Sequence, residues 1–333
     1  MKSISKFCLA AVASFTFTAY AQAEPVNTTS AKPIHIVLGH QRGLSYAPIY
    51  VMQFNHIIES EAKKAGLDVT VEYKAYSNPD DLVLDMELGE VQYGALGGPS
   101  MILSNARNPD MDIRALGSIM VASVDLNTTE SVDSICDLKG EIGVPSVSAI
   151  QSISTKIAAF KCGDAHMFDK QLVKISHTDG VKKIVAGTLA NHFTSAPYQN
   201  QERQQSSRVR KLSTTRDIIG GRSTFIVLAG SEKYRQRNPL LQSVVIRAQK
   251  EAGRLIHADP ARVAAAEAYV ELDGTKETVQ QAAAGLADPG IFFLSTPLAI
   301  GKFSHQMFLA GLVSRDIPWE DLVSESVNFR YGS

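Results

Sequence analysis

The chain has 333 residues and a formal net charge of −1. Its 44% hydrophobic and 20% charged content is that of a soluble globular protein and excludes a mainly disordered chain. No long basic run supports a phosphate-backbone partner, which argues against nucleic-acid binding, and the length suits one large or two medium domains.

The first stretch reads as an export signal. Lys2 and Lys6 give a positive start, Phe7 to Tyr20 is apolar with small residues, and Ala21-Gln22-Ala23 is an A-x-A cleavage site. We therefore expect a signal peptide over 1–23, cleaved after Ala23, and a periplasmic address. The apolar run falls short of the ~20 residues of a membrane span. Cys8 lacks the small-residue flank of a lipoprotein signal, and no later stretch is apolar enough to span a bilayer. Cleavage removes two lysines and takes the net charge from −1 to −3. Two cysteines remain, Cys136 and Cys162. An oxidising compartment permits a disulfide between them, the alternative being two thiols. Their separation does not suit a zinc site, which wants closely spaced ligand pairs.

Ile34 to Leu38 reads as the first strand, followed by a turn from Gly39 to Tyr46. Ala47 to Lys64 is a helix with Pro48 tolerated in its first turn, ended by Gly66. Leu67 to Ala75 alternates as a second strand. Asn78-Pro79-Asp80 caps the next helix, in which Leu84, Leu88 and Val91 recur at helical spacing and which Gly89 stops. Val91 to Leu96 is a short buried strand. Gly97 to Ser100 form a turn, and a helix opens at Met101, with Pro99 suited to its start. The product is a helix N-terminus with free N–H groups at the carboxyl end of a strand, where open α/β sheets bind ligands.

Asp112 to Val124 is extended, Glu141 to Val144 a strand, Pro145 to Ser148 a turn, Ala149 to Phe160 a helix and Leu172 to Ser176 a strand. The helix–strand–turn unit then recurs over Val181 to Tyr198. Aligning Gly187 on Gly89 sets Leu189 on Val91, His192 on Gly94 and Ser195 on Gly97. Such units look alike by chance as well. If the repeat is genuine, two similar α/β lobes each offer a turn to one cleft. Gln199 to Ser207 is polar and reads as a solvated connection, Val209 to Ser213 as a strand, and Phe225 to Ala229 as an apolar strand behind a double glycine. From Ser231 onward the pattern is mainly helical, and Trp319 reads as a packing residue. The alternation of strands and helices predicts a mostly parallel sheet.

Five stretches in order carry a resemblance: GHQRGLSYAPIYV from Gly39, ELGEVQYGALGGPSMIL from Glu87, DLKGEIGVPSVSAIQ from Asp137, HTDGVKKIVAGTLANHFTSAPY from His177 and GGRSTFIVLAGSEKY from Gly220. Together they resemble the nitrate/sulfonate/taurine class of periplasmic substrate-binding proteins of ABC importers, also called the thiamine-pyrimidine-precursor-like class. The resemblance implies an α/β type II periplasmic-binding-protein fold with two Rossmann-like lobes joined by two crossover strands. It implies lobe one over 24–119 and 220–333 and lobe two over 120–219. It further implies a monomer that captures a small organic anion (a sulfonate, a taurine-like compound or an aromatic carboxylate) and hands it to a permease in the inner membrane. No cofactor and no reaction are expected. The alternatives are a neutral heterocycle such as a thiamine pyrimidine precursor, or a pyrimidine-synthase or menaquinone-pathway enzyme on the same fold, against which export argues.

Carried over by position, the cleft loops are Arg42 to Tyr46, Gly97 to Ser100, Ser146 to Gln151, His192 to Ser195 and Gly220 to Ser223. The expected ligand-binding residues are Arg42, Ser45, Tyr46, Gly98, Ser100, Ser146, Ser148, Gln151, His192, Phe193, Thr194 and Arg222. Ser45, Ser100, Ser148 and Thr194 would donate neutral hydrogen bonds. Arg42 and Arg222 would offer a guanidinium fork to an oxyanion, although Arg222 departs from the small residue or proline expected there. Tyr46 and Phe193 would stack on or bracket the ligand. Turn-forming, packing and lobe-bridging roles compete at each of these positions. Gly43-Leu44-Ser45-Tyr46-Ala47 nearly matches a nucleophile elbow, but its last glycine is missing and no oxyanion motif accompanies it. His40 and His192 can face one cleft, yet no clustered metal-ligand motif or Walker A sequence supports metal or nucleotide chemistry.

Overall fold

The computed structural model describes residues 33–327, so the expected signal peptide lies outside the described residues. The strands are β1 (Ile34–Gln41), β2 (Val69–Tyr76), β3 (Tyr93–Gly97), β4 (Ile113–Val121), β5 (Asp125–Thr128), β6 (Ile142–Val144), β7 (Leu172–Lys174), β8 (Asn191–Thr194), β9 (Arg210–Thr214) and β10 (Thr224–Ser231). They form two five-stranded sheets, ordered β2-β1-β3-β10-β4 and β7-β6-β8-β5-β9. The chain leaves the first sheet after Val121, enters the second at Asp125, and returns between Thr214 and Thr224. The two passages touch: Val124 and Thr215 exchange two hydrogen bonds, each 3.0 Å.

The sheets are mixed rather than mostly parallel. Within the first, β1 runs parallel to β2 and β3, while β10 is antiparallel to β3 and β4. Within the second, β6 runs parallel to β7 and β8, while β5 is antiparallel to β8 and β9. The physical reason is the connectivity. Each sheet takes in, next to its central strand, the strand on which the chain arrives from the other lobe, and that strand runs opposite to its neighbours.

The helices before the return are α1 (Ala47–Phe54), α2 (Ile57–Lys64), α3 (Pro79–Glu87), α4 (Gly98–Arg107), α5 (Ile150–Lys161), α6 (His177–Ala186), α7 (Tyr198–Gln205) and α8 (Thr215–Ile219). After it come α9 (Glu232–Arg237), α10 (Pro239–His257), α11 (Asp259–Asp273), α12 (Val279–Leu286), α13 (Ile300–Leu309) and α14 (Trp319–Leu322), the last with Trp319 buried in the core. No helix among the described residues is long and apolar enough to cross a membrane.

The repeat is present in the register. Gly39 pairs with Gly94 across β1 and β3, and Gly143 pairs with His192 across β6 and β8, which is the correspondence the alignment on Gly89 and Gly187 requires. Those two glycines both adopt φ 79°, a left-handed conformation that ends a helix without a Cβ penalty. The helix before β3, however, buries a different face from the one its leucines suggested. Leu84 and Leu88 are 52% and 66% exposed, and Pro79, Leu82 and Met86 are buried instead. Glycines in the strands make the slots they fill. A Cβ on Gly39 would stand 2.2 Å from Leu82 Cδ1, and one on Gly94 would stand 2.5 Å from Met86 Sδ.

In the second lobe the bulk is exchanged. The same alignment sets Gly180 of α6 on Leu82 and His192 on Gly94. A Cβ on Gly180 would stand 2.2 Å from His192 Cε1, so the glycine is on the helix and the large ring on the strand. The polar stretch after Tyr198 is also not a solvated connection. It forms α7, which buries Gln199 and Glu202 because each finds a polar partner in the interior. Cys136 and Cys162 are joined by a disulfide with their Cα atoms 5.6 Å apart, tying the turn before β6 to the end of α5.

Candidate functional site

A cavity of about 50 Å³ lies between the lobes, where the carboxyl ends of β1, β3, β6 and β8 converge. That volume holds about three or four waters, enough for the head group of a small solute. The first lobe contributes Gln41, Arg42, Gly43, Ser45, Tyr46, Gly97 and Ser100. The second contributes Pro145, Ala149, Ile150, Gln151, His177, Ser195 and Tyr198, and Phe225 and Ile226 come from the return strand.

Each wall has an identifiable support. Strand β1 runs on past Leu38 to Gln41, and the chain turns at Gly43, whose φ of 111° suits glycine. Asp273, at the end of α11, holds this turn. Its Oδ1 accepts the Gly43 N–H at 2.8 Å and the buried Tyr50 hydroxyl, while its carbonyl accepts a bond from Arg42 Nη1 at 2.5 Å. Arg42 is otherwise exposed and borders the cavity. Tyr46 donates its hydroxyl to Gln41 Oε1 at 2.8 Å, so its ring lines the wall in a fixed orientation. In the second lobe His177 opens α6 and stacks on Tyr198, ring centroids 5.2 Å apart at 13°. Thr194 Oγ1 lies 2.7 Å from His177 Nδ1. Burial first, then the neighbouring His192, holds the His177 pKa down to about 3, which leaves that imidazole neutral at neutral pH.

The electrostatics of the lining are one-sided. Arg42 is its one charged side chain, and no carboxylate borders the cavity among the described residues. Two helices also begin there, α4 after Gly97 and α5 after Ala149, and neither has a side-chain cap. Their first N–H groups carry a partial positive charge with no side chain to accept it. By contrast Asn78 caps α3 and Ser176 caps α6. A guanidinium and two open helix N-termini suit an oxyanion.

Of the residues singled out in the sequence, Arg42, Ser45, Tyr46, Ser100 and Gln151 come together around this cavity. The others do not border it. Gly98 stands one place beyond the lining Gly97, and its Cα faces Ile300. Ser100 and Ser148 meet each other across the cleft: Ser100 Oγ donates to the Ser148 carbonyl at 2.9 Å, and Ser148 Oγ donates to Asp80 at the start of α3. Ser146 is fully buried beside them. His192 and Phe193 lie inside the second lobe, His192 against Glu202 and Phe193 opposite Leu126 on β5. Thr194 reaches the cleft only through His177. His40 is buried in the first lobe with Nδ1 2.8 Å from the Gln41 carbonyl, and burial lowers its pKa. It does not border this cavity, and neither does His192. No group of three or more His, Cys, Asp or Glu side chains that could hold a metal is present among the described residues.

Arg222 also stands apart from this cavity. Gly220 and Gly221 before it take φ of 79° and 150°. The exposed guanidinium lies 4.4 Å from the Phe292 ring centroid, away from the cavity lining. Its replacement by alanine should leave solute affinity unchanged and lower stability by about 0.5–1 kcal/mol, the range of an exposed cation–π contact. Paired calorimetric titration and urea unfolding check this; a large loss of affinity would return Arg222 to the site.

The cavity is also lined by His177, Tyr198 and Gln41, which the sequence does not single out, and by Ser195, which it places in a cleft loop without naming it a ligand residue. Ser195 carried a signal, because the repeat set it on Gly97, and both are the residues at which a central strand gives way to the cleft turn. His177 and Tyr198 carried none in their spacing, since both are first residues of helices whose approach depends on the tertiary fold.

No protein-family model matches the chain, and no curated protein sequence matches it. Solved structures do. The alkanesulfonate-binding protein SsuA of Xanthomonas axonopodis pv. citri, bound to MOPS, matches with a TM-score of 0.69 at 16% identity over 89% of this chain and 99% of that one. The periplasmic aliphatic sulphonate-binding protein SsuA of Escherichia coli matches with a TM-score of 0.67 at 16% identity, over 88% and 92%. The periplasmic nitrate-binding protein NrtA of Synechocystis PCC 6803 matches with a TM-score of 0.65 at 10% identity, over 89% and 84%. Taken with the two mixed sheets, the doubled passage between them and the cavity at their carboxyl ends, this likeness establishes that the chain has the two-lobed fold of the periplasmic binding proteins.

Proposed function

We propose that this protein is the solute-binding component of an ABC importer and captures a small organic anion in the cleft between its lobes. The observation that carries the reading is the lining itself: one guanidinium, two uncapped helix N-termini and no carboxylate. Sulfonate and nitrate binders among the structural neighbours support the same charge. The lobes already meet through Ser100, Ser148 and Asp80, which supports a mechanism of hinge closure in which a solute touching both lobes favours the closed state. The reading is one of ligand exchange rather than turnover, in line with the binding proteins among the structural neighbours. The reading includes export by the N-terminal signal, a periplasmic address, a monomeric state and delivery to an inner-membrane permease.

A thermal-shift screen of the purified mature protein with ethanesulfonate, taurine, nitrate, benzoate and a hydroxymethylpyrimidine tests it. At 100 times its dissociation constant a true ligand stabilises the fold by about 2.7 kcal/mol. Stabilisation by one of the anions is expected. Stabilisation by the pyrimidine alone would replace the anion with a neutral heterocycle.

A further inference from the structure

Behind the second-lobe wall lies a polar cluster that the cleft itself does not use. His192 Nδ1 is bonded to Glu202 Oε1, and both side chains are completely buried. Glu202 Oε2 accepts a bond from Asn127 Nδ2 at 2.7 Å. Asn127 Oδ1 in turn accepts one from Arg203, which also pairs with Asp125 at 2.9 Å. Among the described residues His192 Nε2 finds no hydrogen-bond partner. Its edge faces Gly180 instead, and its ring centroid lies 5.9 Å from that of His177.

We propose that His192 and Glu202 are positioning residues: their buried pair fixes His177 and Tyr198 in the wall of the cleft. This rests on the reading of that cleft as a ligand site. The pair joins the three elements that hold the two wall residues, each about one turn or one strand step away. Glu202 is one turn beyond Tyr198 on α7. His192 is two residues before Thr194 on β8, and Thr194 bonds His177 Nδ1. Gly180, against the His192 ring, is one turn beyond His177 on α6. A shift of any of the three elements is thereby transmitted to the stacked pair of rings.

The fold does not require a polar pair at this place. At the matching position of the first lobe, Gly94 lies under Met86, and an apolar helix face closes the sheet. Burying a histidine and a carboxylate costs desolvation that an apolar residue avoids, so the pair calls for a role beyond packing. Its electrostatic reach supplies one. The groups facing His192 are Glu202 from α7 and His177 from α6, and those facing Glu202 are His192 and Asn127. Burial first, and then the neighbouring His192, depress the His177 pKa, so the element that carries the pair also bears on the charge of the wall.

The test is NMR of the ligand-free mature protein with isotopically labelled histidine. In the wild type the His177 Cε1–H should be shifted upfield by the stacked Tyr198 ring, and its imidazole should not titrate between pH 5 and 8. In Glu202→Gln the upfield shift should be lost, and His177 should begin to titrate inside that range. Should that variant not fold, His192→Phe/Glu202→Leu, which removes the pair and keeps most of its volume, is read in the same way. A folded variant in which His177 keeps both its shift and its silence would overturn the proposal, since a pair that only filled space would leave them alone. The measurement uses no ligand. If ethanesulfonate then fails to bind the wild type in a calorimetric titration, the ligand reading fails while the positioning result stands.

Discussion

Removal of the Cys136–Cys162 bond should lower the stability of the folded protein by about 3.5 kcal/mol. The two cysteines are 26 residues apart in sequence, and closing a loop of that length removes conformational freedom chiefly from the unfolded chain. The loop it closes contains β6 and the cleft turn from Pro145 to Gln151, so the bond also anchors that turn at both ends. Urea unfolding of the oxidised protein against Cys136→Ser/Cys162→Ser checks the figure. The midpoint should fall, and the slope should rise as the unfolded chain expands. Equal midpoints would mean that the bond follows the fold without supporting it. Such a contribution is available only in an oxidising compartment, which is the compartment the proposed export would supply.

Replacing Asp273 by alanine should cost about 3 kcal/mol and loosen the turn that carries Arg42. One oxygen of this buried carboxylate accepts both the Gly43 N–H and the Tyr50 hydroxyl. Removing it strands two buried donors, each worth about 1–3 kcal/mol when unpaired. Asp273→Asn keeps an oxygen in place and should cost less than about 1 kcal/mol. The contrast between the two variants in chemical unfolding separates the hydrogen bonds from mere side-chain volume. If both lose the same stability, the bonds are not the cause. The alanine variant should also bind an anionic solute more weakly, because the Arg42 bond to the Asp273 carbonyl depends on that turn.

The sequence was most legible where local chemistry settled the outcome. Gly89 and Gly187 stop their helices in the left-handed conformation, Asn78 caps α3, and the alignment of the two glycines carries through to the pairing of Gly94 and His192 in their sheets. It failed where a distant element decided which face is buried. Leu84 and Leu88 looked like a core stripe, but glycines in β1 and β3 open slots that only Leu82 and Met86 can enter. The stretch after Tyr198 looked solvated because its composition is polar, yet Glu202 is buried by virtue of His192 and Asn127, which lie elsewhere in the chain.

In the candidate site, loops were easier to place than side chains. Arg42, Ser45, Tyr46, Ser100 and Gln151 border the cavity, whereas His192, Phe193 and Thr194 stop one strand step short of it and Ser195 reaches it. A strand alternates its side chains between two faces. Which residue lies at the rim therefore depends on where the strand ends, and β8 ends at Thr194. Arg222 was drawn toward the cleft by its place beside two glycines. Its guanidinium instead lies over the Phe292 ring, outside the cavity lining.

The claim that the cleft binds an anion through Arg42 is tested most directly by calorimetric titration of the wild type, Arg42→Ala and Arg42→Lys with whichever anion the thermal screen selects. A charge-assisted contact of about 1.5–3 kcal/mol is lost with the guanidinium, so alanine should weaken binding about ten- to a hundredfold, and lysine, lacking the planar fork, should recover only part of it. Arg42 is exposed, and among the described residues its hydrogen bond is to a backbone carbonyl, so unfolding of the ligand-free variants should change little. Equal affinity in wild type and Arg42→Ala would contradict the account.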